Sequence, residues 1–336
     1  MSKSRWSCLA LASLCPITLT VLLADDAPSP SEAVLIQETF ADQPSQRGWT
    51  VTGDTSLFHW DAQEKNLAVT WDSSKSNSFF HIPLNTILSK EDSFELGFSM
   101  RLDDITIGTT AGKPFTFEIA VGFLNLTQAT NATYLRGTGM NSPNLLEWDY
   151  FPDSGFGASL SPTLISGRHQ FATTFIASEV VTNTLYQFLL RYDGVAKELV
   201  LERGVSGLPL EKLGTVSLKP DFDDFRLDTL SVTSYTDAGQ DPQWGGSILS
   251  HGVIYRIDAK LPPPPVRDLS GAFTGGGWQT RFTSRTNWVY TLETSSDLRS
   301  WAPAVGAAPG TGAAQVMADP EQRPGAWFYR VRAEKP

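Results

Sequence analysis

Apolar and polar side chains alternate with a period of two along run after run of this chain, and no stretch of ten or more residues carries a helical period. Phe94, Leu96, Phe98 and Met100 interleave with Glu95, Gly97, Ser99 and Arg101. Phe115, Phe117, Ile119, Val121 and Phe123 interleave with Thr116, Glu118, Ala120 and Gly122 in the same way. Tyr186, Phe188, Leu190 and Tyr192 repeat the pattern, Asp193-Gly194 turns the chain, and residues 197–202 return it, which is a hairpin signature. Such alternation gives a strand one dry face and one wet one. Roughly a dozen strands before residue 261 are too many for an immunoglobulin-like unit, so the expected fold is all-β, a larger two-sheet jelly-roll sandwich.

Composition marks the ends of that unit. Lys3 and Arg5 head an apolar stretch, residues 9–23, and Ala24 precedes Asp25-Asp26; residues 1–24 are expected to be a signal peptide and 25–32 a disordered lead-in. The apolar stretch is interrupted by Pro16 and too short for a comfortable membrane span, so secretion is expected, to the extracellular space, periplasm or cell surface, without membrane insertion. Both cysteines, Cys8 and Cys15, fall in this segment, and Cys15 follows Leu14 where a lipid-attachment signal wants a small residue. The exported chain would then have no disulfide and no thiol chemistry. Leu261 is followed by four prolines, so residues 262–266 read as a semi-rigid linker between a sandwich at 33–261 and a small C-terminal β-module at 267–336. A net charge of −10 argues against nucleic acid or an anionic membrane surface as partner.

The hairpin Leu185-Y-Q-F-L-L-R-Y-D-G to Leu199-V-L-E, with the closing runs Phe225-R-L-D-T-L-S-V and Val253-I-Y-R-I-D, resembles the concanavalin A-like domains of secreted bacterial proteins over about residues 34–261. Val289-Y-T-L-E-T, Ser296-D-L-R-S-W and Ala326-W-F-Y-R-V-R resemble small β-modules at the C-termini of exported bacterial proteins.

Candidate chemistry centres on Asn144 to Asp153, N-L-L-E-W-D-Y-F-P-D. Strand parity sets Glu147 and Asp149 on one face, expected to line a groove, and Trp148 and Tyr150 on the other, expected in the core. The resemblance to legume-type lectins implies that Glu147, Asp149, the carbonyl of Phe151 and Asp153 could hold a cation such as calcium, an oxygen-ligand set. The chain departs from that pattern further on, with Ala158 and Thr163 where the lectins have another Asp and a His. The resemblance to laminarinase-like hydrolases implies a nucleophile and an acid on E-x-D-x-E, but the third position here is Phe151, and a retaining mechanism needs two carboxyl groups about 5 Å apart. No catalytic residue is therefore assigned. The four histidines are scattered, and neither G-x-S-x-G nor a phosphate loop occurs.

The expected activity is non-catalytic, lectin-like binding of a polysaccharide or other glycan on the concave face of the jelly roll. Glu147, Asp149, Glu118, Gln187 and Arg191 would meet its hydroxyls, and Trp71 and Phe156 would stack on its rings, with Trp49, Trp60 and Trp244 as further loop aromatics. Two other readings stay open. One is a glycoside hydrolase or polysaccharide lyase with a different catalytic set; the other is a structural or adhesive surface protein.

Overall fold

The computed structural model describes residues 33–109, 111–113, 117–136, 141–238, 247–275, 277–321, 323 and 327–336. The expected signal peptide, the lead-in and Trp244 lie outside the described residues.

Sixteen strands among these residues build the first body. They begin with β1 (Val34–Glu38), β2 (Thr50–Thr52), β3 (Phe58–Asp61), β4 (Asn66–Asp72), β5 (Ser78–Leu88), β6 (Phe94–Ile107) and β7 (Ile119–Leu124). A one-turn helix, α1 (Leu126–Ala129), precedes β8 (Leu145–Phe151), β9 (Ser159–Ile165), β10 (Phe171–Thr173) and β11 (Ile176–Ala177). The set closes with β12 (Tyr186–Asp193), β13 (Glu198–Val205), β14 (Glu211–Ser217), β15 (Leu227–Ser234) and β16 (Ile248–Leu261). One eight-stranded sheet, sheet I, runs β14-β13-β12-β6-β16-β4-β3, with β1 also on β16. The other, sheet II, runs β10-β9-β8-β7-β15-β5-β2, with β11 also on β9. Chain neighbours such as β6 and β7 sit in different sheets, while β6 pairs antiparallel with β16 from the far end of the unit. The molecule is thus the all-β two-sheet sandwich that the alternation predicts.

Between the sheets lies one apolar core in which Trp148 of β8 meets Phe188 at 4.6 Å and Phe98 at 5.3 Å. The sheets differ on their outer faces. Along β12, inward Tyr186, Phe188, Leu190 and Tyr192 are buried while Gln187 and Arg191 are exposed, so sheet I meets solvent there. In sheet II, all of β7 and β9 and all but the last residue of β8 are buried, so the middle of that sheet is covered on both sides.

Its cover is local in sequence. After β7 the chain turns over the sheet through α1, whose Asn125 cap accepts the Gln128 N–H, and continues to Tyr134 and Arg136, both 3% exposed. Asp228 accepts from the Leu126 N–H and the Asn125 amide, Gln128 accepts from the Asn144 amide, and the Asn77 amide donates to the Tyr134 carbonyl. Tyr134 stacks on Tyr235 of the segment after β15 at 6.4 Å. This turn has no periodicity that a sequence pattern could detect. Of the alternating run expected from Phe115, Phe115 and Thr116 lie outside the described residues and the strand itself spans Ile119 to Leu124, while the run starting at Phe94 continues past Arg101 to Ile107.

Beyond the prolines, β17 (Val266–Thr274), β18 (Gly277–Ser284), β19 (Val289–Ser295), β20 (Ala302–Pro309), β21 (Ala314–Ala318) and β22 (Phe328–Glu334) form two three-stranded sheets, β17-β18-β21 and β20-β19-β22. Phe282, Trp288, Tyr290, Leu292 and Met317 form their small core, and Ile87 of β5 packs against it. Asp92, in the turn before β6, receives both Arg285 and Lys335 at 2.6 Å, all three being largely buried. Burial would push the Asp92 carboxyl up, but the two cations overcome it and hold it below its ordinary value. Hydrogen bonds to charged groups contribute about 1.5–3 kcal/mol. Asp92→Asn is therefore expected to cost about 2 kcal/mol, and to speed proteolytic cleavage at residues 262–266. Unchanged cleavage and melting would show that the contact holds nothing.

Candidate functional site

Glu147 and Asp149 alternate with Trp148 and Tyr150 along β8, so they leave the sheet on the face turned away from the core. Neither is exposed: both carboxylates are 0% accessible, as are the side-chain atoms of Glu118, which precedes β7. The guanidinium of Arg136 sits among the three. Its Nη2 donates to Asp149 Oδ2 at 2.8 Å and its Nε reaches Glu147 Oε2 at 3.5 Å. The same Nε lies 3.2 Å from Glu118 Oε1 as an ion pair without hydrogen-bond geometry. From the opposite side, Tyr235 Oη donates to Glu147 Oε1 at 2.6 Å. Gly122 makes room for this: a Cβ there would stand 2.3 Å from the Leu146 carbonyl and 2.6 Å from Glu147 Cγ. The Glu147 side chain lies across β7 only because residue 122 has none.

Three carboxyls around one guanidinium, away from water, cannot all ionise. Burial pushes Glu147 up to about 8, helped by the neighbouring Asp149 and opposed by Arg136 and Tyr235. Burial likewise lifts Glu118 well above its ordinary value, against the pull of Arg136, and raises Asp149. For Arg136, burial alone would depress the value, but Glu118, Asp149 and Glu147 hold it well above the usual one. Burial thus favours the protonated forms of Glu147 and Glu118, while Asp149 keeps the closest contact with Arg136, at 2.8 Å.

These contacts decide what the cluster can do. A calcium ion on Glu147, Asp149, Phe151 and Asp153 does not fit, because Arg136 already occupies the space that a cation would take between the first two. Asp153 lies beyond the strand end and caps its own turn, accepting from the Gly155 N–H at 2.9 Å. Among the described residues, no group of three or more His, Cys, Asp or Glu side chains is placed to hold a metal. With no exposed carboxylate surface, Glu147 and Asp149 offer a substrate neither a base nor a nucleophile.

The residues expected to share one groove are dispersed. Glu118, Glu147 and Asp149 are together beneath Arg136 on the outer side of sheet II. Gln187 and Arg191 are on the outer side of sheet I, across both sheets and the core of about 10 Å between them. Trp71 is fully buried, since it shares parity with the inward-facing Leu67 and Val69 of β4. Trp49 is buried against Phe80 at 4.7 Å, Trp60 donates its indole N–H to the Phe40 carbonyl, and Phe156 stands 89% exposed on the loop after β8. Arg136 and Tyr235 were not anticipated. The signal for Arg136 was charge: it is the only Lys or Arg between Lys113 and Arg168, in a stretch holding Glu118, Glu147, Asp149 and Asp153.

The open surface is on sheet I. Cross-strand register sets Gln187, Ser99 and Arg256 in one row, Leu189, Gly97, Asp258 and Gln37 in the next, and Arg191, Glu95, Lys260 and Leu35 in a third. All of these but Arg191, together with Leu210, line a hollow of 430 Å³. Arg256 grips Asp258 through two hydrogen bonds of 2.5 and 2.8 Å, and Arg191 lies between Glu95 at 3.6 Å and Glu202 at 3.2 Å.

No protein-family model matches the chain, and no curated protein matches it in sequence. Among solved structures, a peanut lectin is similar at 13% identity and a TM-score of 0.46, over 69% of this chain and 98% of that one. A Lotus tetragonolobus seed lectin follows at 12% identity and 0.43, over 69% and 100%. A legume lectin-like domain from Entamoeba histolytica gives 12% and 0.39, over 67% and 95%. Among the described residues, no helix is long and apolar enough to cross a membrane.

Proposed function

We propose that the protein binds carbohydrate without turning it over, through the outer face of the sheet that carries β12, β6 and β16. The observation that supports this reading is the hollow of 430 Å³ on that face, walled by both polar and aliphatic side chains. Its size is within the range of small-molecule sites, about 300–1,000 Å³. Hydroxyl groups need donors and acceptors together, and Gln187, Ser99, Arg256 and Gln37 supply them beside the aliphatic Leu35, Leu189 and Leu210. What supports binding over turnover is the state of the carboxyls: those on β8 are sealed under Arg136, and Glu95 and Asp258 are each paired with an arginine. The basic head, apolar body and Ala24 at the N-terminus support export as the setting for this activity.

Retention of the full chain on immobilised polysaccharides tests the proposal. Gln187→Ala should weaken binding about tenfold, the loss of a side-chain hydrogen bond with its contacts. Failure to bind any polysaccharide would sink it, and release of reducing sugar would replace binding with hydrolysis.

A further inference from the structure

The hollow on sheet I does not end at Lys260. A second one, of 310 Å³, is lined by Ser93, Glu95, Arg191, Asp193 and Lys260, so the two share Glu95 and Lys260. Their continuous floor follows the outward face of β6, where Ser99, Gly97 and Glu95 stand at alternate positions, and runs on to Ser93 just before the strand. The walls are longer side chains from β12 on one side and from β16 and β1 on the other. Gly97 is the lowest point. The nearest atoms to a Cβ there would be Leu189 Cδ1 and the Phe188 and Asp258 carbonyls, at 3.7 to 3.9 Å, so no packing constraint excludes a side chain. From Ser99 to Ser93 the floor runs roughly 20 Å, at about 3.3 Å per residue.

Its charges are balanced internally. Of the lining cations, Arg256 is paired with Asp258 and Arg191 with Glu95 and Glu202, while Asp193 accepts the Val195 and Ala196 N–H groups of its own turn. Of these lining cations Lys260 alone forms no ion pair among the described residues, although Glu95 stands opposite it in register, and the chain as a whole carries −10. A polyanion would meet one free cation in a repelling field.

Resting on the carbohydrate-binding reading, we propose that this trough holds an extended, uncharged glycan chain of several sugar units lying along β6 over Gly97. The aliphatic side chains of Leu189, Leu210 and Leu35 would pack on the sugar C–H faces, and the polar rows would bond to hydroxyls at successive units.

Calorimetric titration of the full chain with neutral linear oligosaccharides of two to six units tests this, using β-1,3-glucan, β-1,4-glucan, mannan and xylan series with oligogalacturonate as the charged control. On at least one neutral series, affinity should rise at least tenfold from dimer to hexamer, and the oligogalacturonate should bind more weakly. Gly97→Leu should fill the floor and reduce hexamer affinity at least tenfold with an unchanged melting temperature; Gln187→Ala on the wall serves if that variant melts early. Affinity independent of length, preference for the uronate series, or full hexamer binding by Gly97→Leu would overturn the trough while leaving carbohydrate binding intact. Absence of binding to every series would remove both. A wild-type dimer that Gly97→Leu converts to monomer would assign the face to a second copy of the chain instead.

Discussion

Arg136→Met is expected to destabilise the sandwich by about 3–5 kcal/mol, the loss seen when one partner of a buried ion pair is removed. Methionine keeps much of the aliphatic stem but leaves Asp149, Glu147 and Glu118 without a cation, and all three are closed off from water. The carboxyls can respond only by taking up protons, so the loss should be smaller at pH 5 than at pH 8. Urea unfolding at both pH values measures it. Adding Asp149→Asn and Glu147→Gln should recover most of the stability, since a buried ionic group replaced as a whole costs far less than one broken in half. A loss under about 1 kcal/mol at pH 8 would mean that the guanidinium does not hold the covering turn to the sheet.

Stability of the wild-type sandwich should fall as pH rises from about 5 to about 8. The sign follows from Glu147. In the unfolded chain it ionises near 4.5, and in the fold near 8, so across that window the folded state keeps a proton that the unfolded state has released. Raising the pH then favours unfolding by about 1.4 kcal/mol per unit where the difference is one full proton. The decline from this group ends above about 8. Glu118, also raised by burial, contributes with the same sign, whereas Asp92 is held low and acts only in more acidic solution. Glu147→Gln still accepts from Tyr235 but has no proton to lose, so its stability should decline with pH less steeply, by one proton's share. Parallel profiles for wild type and Glu147→Gln between pH 5 and 8 would refute this account.

What could be read in advance follows from which strands have a wet face. β6 and β12 alternate cleanly because one side of each is solvated, and both were recognisable at once. On β8 parity correctly separated Trp148 and Tyr150, in the core, from Glu147 and Asp149, outside it. Parity cannot say what lies above an outward face, and here it is the chain's own turn. Nothing periodic marks residues 125–136, so the expected groove and its metal ligands were inferred on a surface that Arg136 fills. Trp71 shares the parity of Leu67 and Val69, so the alternation of β4 itself places it inward and away from any ligand. Gln187 and Arg191 were recognised as polar outward residues, but alternation does not record which of two sheets a strand joins.

The prolines at 262–265 have a consequence for reach. The Pro263 carbonyl accepts from Arg285 at 2.9 Å and the Pro265 carbonyl from Tyr290 at 2.6 Å, so the backbone of this spacer is tied to the module it introduces. A loose tether would let two attached units sample many separations, and any gain from joint attachment would depend on its length. A braced strut offers a single spacing. Whatever the terminal module contacts, it would hold the sandwich at a set stand-off, and engagement of two targets at once would be all or nothing according to whether their separation matches.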